Sequence, residues 1–147
     1  MKWPLHVTVA AIIEREGRFL MVQEIVHGKT VINQPAGHLE QNEKLLDAVI
    51  RETLEETAWH FQPESLVGIY RWVHPKGDTF LRFCFTGSLL QQDTNRKLDQ
   101  GIQQTLWLDR DALQLHASEL RSPLVMRCID DYLAGTRIAL SVLKDIC

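Results

Sequence analysis

Cysteine is scarce in this chain and scattered. Cys84, Cys128 and Cys147 are the only three in 147 residues, and no Cys-x-x-Cys spacing occurs. That excludes a disulfide framework or a cysteine-based zinc site and suits a reducing, cytoplasmic setting. No two histidines at helical spacing stand in as zinc ligands. No apolar run approaches the roughly 18 residues of a membrane span. Met1-Lys2-Trp3-Pro4 leads straight into a strand-like stretch, so neither a membrane anchor nor a secretory signal is expected. Basic residues are not in excess either. Sixteen Lys and Arg against nineteen Asp and Glu leave a formal net charge of -3, which argues against a binder of nucleic-acid polymers. Repeats and low-complexity tracts are absent. Two short motifs are incomplete. Gly28-Lys29-Thr30 has the end of a phosphate-binding P-loop, but Gln23 stands where its first glycine is needed. His38-Leu39-Glu40 lacks the Pro-Cys-x-x-Cys that a zinc deaminase would add.

What remains is a chain of ordinary composition and strong local patterning. Its length predicts one domain, residues 1–147, burying about two thirds of the unfolded surface. Residues 6–14 alternate and then run apolar as a strand, with a turn at Glu14-Arg15-Glu16-Gly17 and a hairpin partner over 18–26. A turn at Gly28-Lys29 and an extended piece through Ile32 lead into a loop at Pro35-Ala36-Gly37. Helix is expected from Glu43 to Thr57, with Asn42 as its N-cap. Strands follow at about 66–74, 79–90 and 105–108, then a helix start at Asp109-Arg110-Asp111 and a second helix over 123–133 ended by Gly135. The pattern leaves residues 136–147 unassigned. Strands on both sides of one helix, with another helix late, predict an α/β (α+β) fold with a mixed sheet packed between helices.

The helix over 43–57 carries the chemistry. At about 100° per residue, Leu46, Val49, Ile50, Thr53 and Thr57 gather on one flank, and Ala48, Glu52, Glu55 and Glu56 on another. Like charges three and four residues apart repel one another, so a cation is expected against that face. Oxygen ligands without histidine or cysteine suit a hard divalent ion, Mg²⁺ or Mn²⁺.

Gly37, Glu43, Arg51, Glu52, Glu55 and Glu56 also fit, interval by interval, the signature of the Nudix hydrolases: glycine, five residues, glutamate, seven residues, Arg-Glu, two residues, Glu-Glu. The chain resembles that family. Two positions depart from its pattern, Ala58 where glycine is usual and Thr53 where a bulky aliphatic is usual. Neither removes a carboxylate, but Ala58 leaves the exit of the helix either strained or extended. Further stretches, His6-Val7-Thr8-Val9-Ala10, Asn33 to Glu40, Leu81-Arg82-Phe83 and Leu120 to Val125, are similar to the NudJ phosphatases within the family.

The resemblance implies an α/β/α sandwich with the Gly37 loop and the acidic helix at one sheet edge. It implies hydrolysis of diphosphate linkages in small molecules: nucleoside tri- and diphosphates and the pyrimidine diphosphate precursor of thiamine, with release of phosphate. Pyrophosphohydrolysis of damaged nucleotides, hydrolysis of dinucleoside polyphosphates, or a non-catalytic ligand-sensing role are the alternatives. It further implies that Glu52, Glu55 and Glu56 bind the metal and act in catalysis, with the Gly37 carbonyl completing the shell. The general base is then Glu52 or, because Gln103 and Gln104 cannot serve near Trp107, the nearest loop carboxylate, Asp99. Glu43 and Arg51 are expected to shape the Gly37 loop, and Trp72, Phe83, Arg82 and Asp99 are candidate substrate contacts. A monomer or homodimer is expected.

Overall fold

The computed structural model describes residues 3–146; Met1, Lys2 and the third cysteine, Cys147, lie outside them. The chain runs β1 (Leu5–Ile12), β2 (Glu14–Arg15), β3 (Arg18–Val26), β4 (Lys29–Asn33), β5 (Ala36–His38), α1 (Leu45–Thr57), β6 (Trp59–Val73), β7 (Thr79–Gln92), β8 (Ile102–Leu108), α2 (Arg110–Leu115), α3 (Leu124–Leu133) and β9 (Ile138–Ala139). Two 3₁₀ turns, Ala117–Glu119 and Leu140–Val142, complete it.

Five strands form a mixed sheet in the order β5-β1-β7-β6-β9. β1 and β7 pair in parallel at its centre, and the remaining pairs are antiparallel. Alternation along β1 and β7 sends side chains to two separate cores. Ala10, Ile12 and Cys84 meet Val125, Cys128 and Ile129 of α3 on one face. Val9, Ala11 and Phe85 meet Ala48 and Val49 of α1 on the other. Helices on both faces of a mixed sheet give the expected α/β/α arrangement, and the short strand β5 lies at the edge nearest α1. Among the described residues, no helix is long and apolar enough to cross a membrane.

The structure corrects several local expectations. A second, antiparallel sheet exists beside the first, with β2 and β4 on β3 and β8 paired along β3 as well. α1 begins at Leu45, with Lys44 in extended conformation at the N-cap position. Asn42 is not the cap. It adopts a left-handed backbone, φ 64°, in the turn that closes through Glu43 N–H to the Glu40 carbonyl at 3.2 Å. β6 starts directly after the helix rather than near Leu66, and its first half pairs with the far end of β7 through register shifts. The unassigned tail supplies β9, which pairs with Ser65 and Leu66, and places Leu140 and Leu143 against the core beneath α1.

Candidate active site

α1 buries Ala48, Val49, Thr53 and Thr57 against the sheet and turns Glu52 and Glu56 towards β5, with Glu55 beside Arg51 and Asp99. Ala48, expected beside the carboxylates, belongs to the buried flank instead. The helix stops at Ala58, whose N–H still donates to the Leu54 carbonyl at 2.9 Å while its own backbone is left-handed, φ 64°. An alanine accepts that conformation at a cost of about 1–2 kcal/mol, so the helix ends with local strain rather than continuing.

Arg51 is the hub of the site. Its Nε and Nη2 donate to the two oxygens of Glu43 at 2.7 and 3.0 Å, and Nη2 also donates to the His38 carbonyl at 3.1 Å. Nη1 donates to Glu52 at 2.8 Å and to Glu55 at 3.3 Å. Glu43 in turn accepts the Glu40 N–H at 3.0 Å. The pair therefore ties the loop after β5 to α1, and Arg51 holds Glu43 below the usual carboxylate range. A planar guanidinium suits this forked pairing in a way that an ammonium would not.

The acidic face closes onto β5. Glu56, 7% exposed, accepts the Ala36 N–H at 2.9 Å. A β-carbon on Gly37 would collide with the Glu52 carboxylate, so any other residue there would push that carboxylate aside. Asp99 sits against the same face, its N–H donating to the Glu55 carbonyl at 3.0 Å. Burial pushes Glu56 up to about 9 against the pull of the Ala36 N–H, with Glu24, Glu52 and Asp99 adding repulsion. Burial also raises Glu52, opposed by Arg51 and reinforced by Glu55 and Asp99. Asp99 is raised by burial and then by Glu55.

Glu24 belongs to this group and the sequence pattern did not suggest it. It stands on β3 next to the bulge between Gln23 and Glu24, and burial raises it despite Arg121 at 3.4 Å. Nothing in a single sequence links a strand residue near position 24 to a helix near position 55; only the packing of the two sheets brings them together.

The oxygen donors of Glu52, Glu55, Glu56 and Gly37 match the chemistry of a hard divalent ion. Among the described residues no three carboxylate, imidazole or thiolate side chains converge on one point. The Arg51 guanidinium stands between Glu52 and Glu55 instead.

The other candidate residues divide. Trp72 and Arg82 line a cavity of about 400 Å³ that also includes Gly37 and His38 and lies on the α3 side of the sheet. Phe83 does not line it; alternation on β7 points Phe83 into the core beneath α1, and Phe80 takes the place in the cavity wall. Asp99 is with the carboxylates and outside the cavity.

Comparison with known proteins shows the family and the fold. Residues 4–127 match the NUDIX domain family. Phosphatase NudJ of Escherichia coli (strain K12) is 41% identical over 140 residues, spanning 95% of this chain and 91% of that protein. Phosphatase NudJ of Shigella flexneri matches to the same extent, 41% over 140 residues with the same coverage, 95% and 91%. A solved NUDIX hydrolase from Nitrosomonas europaea is 46% identical, with a TM-score of 0.93 over 97% of both chains.

Proposed function

The chain belongs to the Nudix hydrolase family, and from that premise we propose a magnesium-dependent phosphohydrolase that cleaves diphosphate linkages of small molecules and releases phosphate. Nucleoside tri- and diphosphates are the proposed substrates, together with related compounds such as the thiamine pyrimidine diphosphate. The likeness to phosphatase NudJ supports phosphate as the product.

One observation carries the reading. Glu24, Glu52, Glu55, Glu56 and Asp99 crowd one end of the sheet, and several are forced upward in pKa by burial and mutual repulsion. Such a cluster is poised for positive charge. Glu52, Glu55 and Glu56 would hold Mg²⁺, or Mn²⁺, with the Gly37 carbonyl. When bound, the ion neutralises phosphate oxygens and lowers the pKa of water. The chain's own residues do the rest. Arg51 and Glu43 fix the loop that would face the phosphates, and half-buried Glu52, its proton affinity raised by that burial, accepts the proton of the attacking water. General-base help of this kind contributes about 10²–10⁴ in rate.

The direct test is phosphate release from a nucleotide panel with Mg²⁺. Glu52→Gln should lower turnover at least about 100-fold with unchanged circular dichroism. Near-normal turnover in that variant moves the base to Asp99. Orthophosphate is the expected product from a triphosphate, and pyrophosphate would favour the house-cleaning alternative. ¹⁸O-labelled water identifies the phosphorus that is struck. Failure to turn over any diphosphate compound would favour a ligand-sensing role.

A further inference from the structure

We propose that Arg121 is a catalytic residue of this hydrolase. Its guanidinium grips the inner phosphate, the one that departs with the organic group, and Glu24 keeps it parked until a substrate arrives. This role rests on the hydrolase reading and adds the residue that meets the leaving group.

Main chain sets the place of Arg121, on the loop between the 3₁₀ turn Ala117–Glu119 and α3. Its N–H donates to the Ile32 carbonyl at 2.8 Å, Leu120 bridges Ile32 in parallel, and the Ser122 hydroxyl accepts the Leu124 N–H at 3.2 Å. The backbone is thus fastened to β4 and to the start of α3. The side chain is held far more loosely. It is 46% exposed, and among the described residues its partner is Glu24, Nη1 to Oε2 at 3.4 Å. Strong guanidinium–carboxylate pairs are shorter and often forked, as Arg51 shows with Glu43. Most N–H donors of Arg121 are left for a ligand.

Two neighbourhoods meet at this side chain. Glu24 belongs to the acidic cluster, where its charge is felt by Glu56. Arg121 also lines the cavity shared by Asn33, Gly37 and His38. Its charge reaches His38 there, joining burial and His6 in holding that imidazole below its usual range. Among the described residues, Arg121 is the one cation that both lines the cavity and pairs with a carboxylate of the cluster. Arg82 is buried and donates through Nη1 to the Gln34 amide oxygen at 3.0 Å, and Lys76 stands on the turn between β6 and β7. A diphosphate with its outer phosphate at the acidic face and its organic group in the cavity therefore passes the Arg121 guanidinium.

The chemistry follows from that position. Water attacks the outer phosphorus, and its proton goes to Glu52. The bond from that phosphorus to the bridging oxygen breaks, and the electron pair stays on the bridging oxygen, which departs with the inner phosphate. Orthophosphate keeps the oxygen of the water. A planar, permanently charged guanidinium meets two oxygens of the departing phosphate at once and stabilises the charge that grows there. The half-exposed pair with Glu24 is weak, so an incoming phosphate displaces it at little cost.

The test uses the full chain, first in EDTA, with calorimetric titration of two matched pairs, CMP against cytidine and AMP against adenosine. In at least one pair the phosphate should tighten binding about tenfold or more, the worth of a charged hydrogen bond. Arg121→Ala should bring that ratio close to one and leave the nucleoside's own affinity unchanged. Glu24→Gln should tighten the monophosphate about threefold by unparking Arg121. The double variant should bind it like Arg121→Ala alone, because the gain runs through the guanidinium. With Mg²⁺ and the matching diphosphate, Arg121→Ala should lower kcat about 100-fold or more with a smaller change in KM, and Arg121→Lys should recover only part of the rate, its planar fork being lost. The proposal is overturned by a wild type in which phosphate brings no advantage in either pair, by an advantage that survives Arg121→Ala, or by a Glu24→Gln gain that persists in the double variant. Normal kcat in Arg121→Ala sinks this inference alone. An Arg121-dependent phosphate advantage in a protein that hydrolyses no diphosphate sinks the hydrolase reading and leaves the grip on phosphate standing.

Discussion

Thr53 shows how one hydroxyl can stand against its surroundings. The residue is fully buried on the inner face of α1, its carbonyl accepts the Thr57 hydroxyl at 2.6 Å, and its own Oγ1 has no partner among the described residues. Valine matches its shape without the stranded polar atom, so Thr53→Val should stabilise the protein by about 1 kcal/mol. Urea unfolding measures this directly, and a loss of stability would mean that the hydroxyl is paired in solution. At this scale the sequence was most readable where partners share an element. Glu52, Glu55 and Glu56 are joined by helical spacing alone, and Arg51 by its position one turn from Glu55. Glu24 reaches the same cluster from a distant strand with no local pattern to announce it, and Asp99 is reached only through the family resemblance. Phe83 belongs to the core beneath α1 and Phe80 to the cavity wall, because the direction of alternation, which separates the two, is fixed only when β7 is paired.

Among the elements, β6 was the hardest to read. His60, Gln62, Pro63 and Glu64 have the look of a loop, yet they belong to a strand from Trp59 onwards, Gln62 and Pro63 opposite Ser88 and Gly87 of β7 and His60 and Glu64 at its register shifts. Proline is tolerated because the register shifts between Pro63 and Ser65, where a ladder hydrogen bond is dispensable. Across from it, Gly87 leaves no room for a side chain: a β-carbon there would collide with the main-chain oxygen of Gln62. Backbone cannot swing aside as a flexible side chain can. Gly87→Ala should therefore destabilise the protein by about 1–3 kcal/mol, seen as a lower midpoint in urea, with the activity per folded molecule unchanged because the site is elsewhere. An unaltered midpoint would show that the two strands separate easily at this point. The helices were more legible. Asp109 caps α2 by accepting the Ala112 N–H at 2.8 Å, and Gly135, φ 89°, follows α3, both as the residue types predict. The start of α1 was misread because Asn42 is a good cap in general, whereas here Glu43 is needed by Arg51 and stays outside the helix.

For the whole molecule, the acidic cluster links stability to pH. Glu56 titrates near 4.5 in an unfolded chain and near 9 in the metal-free fold. Between those values the folded protein holds the extra proton, so metal-free stability should fall as pH rises through that window. Glu24, Glu52 and Asp99 are shifted the same way and add to the slope. Urea unfolding in EDTA from pH 5 to 9, a range within about the window set by linkage, tests this; stability climbing with pH would contradict it. Excess Mg²⁺ should raise the stability most at the alkaline end, where the carboxylates are ionised, and Glu56→Gln should flatten the metal-free profile. The general architecture was recoverable from the order of strands and helices, but the second sheet was not, since β8 finds β3 across some eighty residues of chain. The three-residue strand β5 has a consequence of its own. Because Ala36 and Gly37 touch both the carboxylates and the cavity, the proposed site would let a change in the cavity wall alter what is accepted while the acidic face stays as it is, and a lineage would be free to change its diet while keeping its teeth.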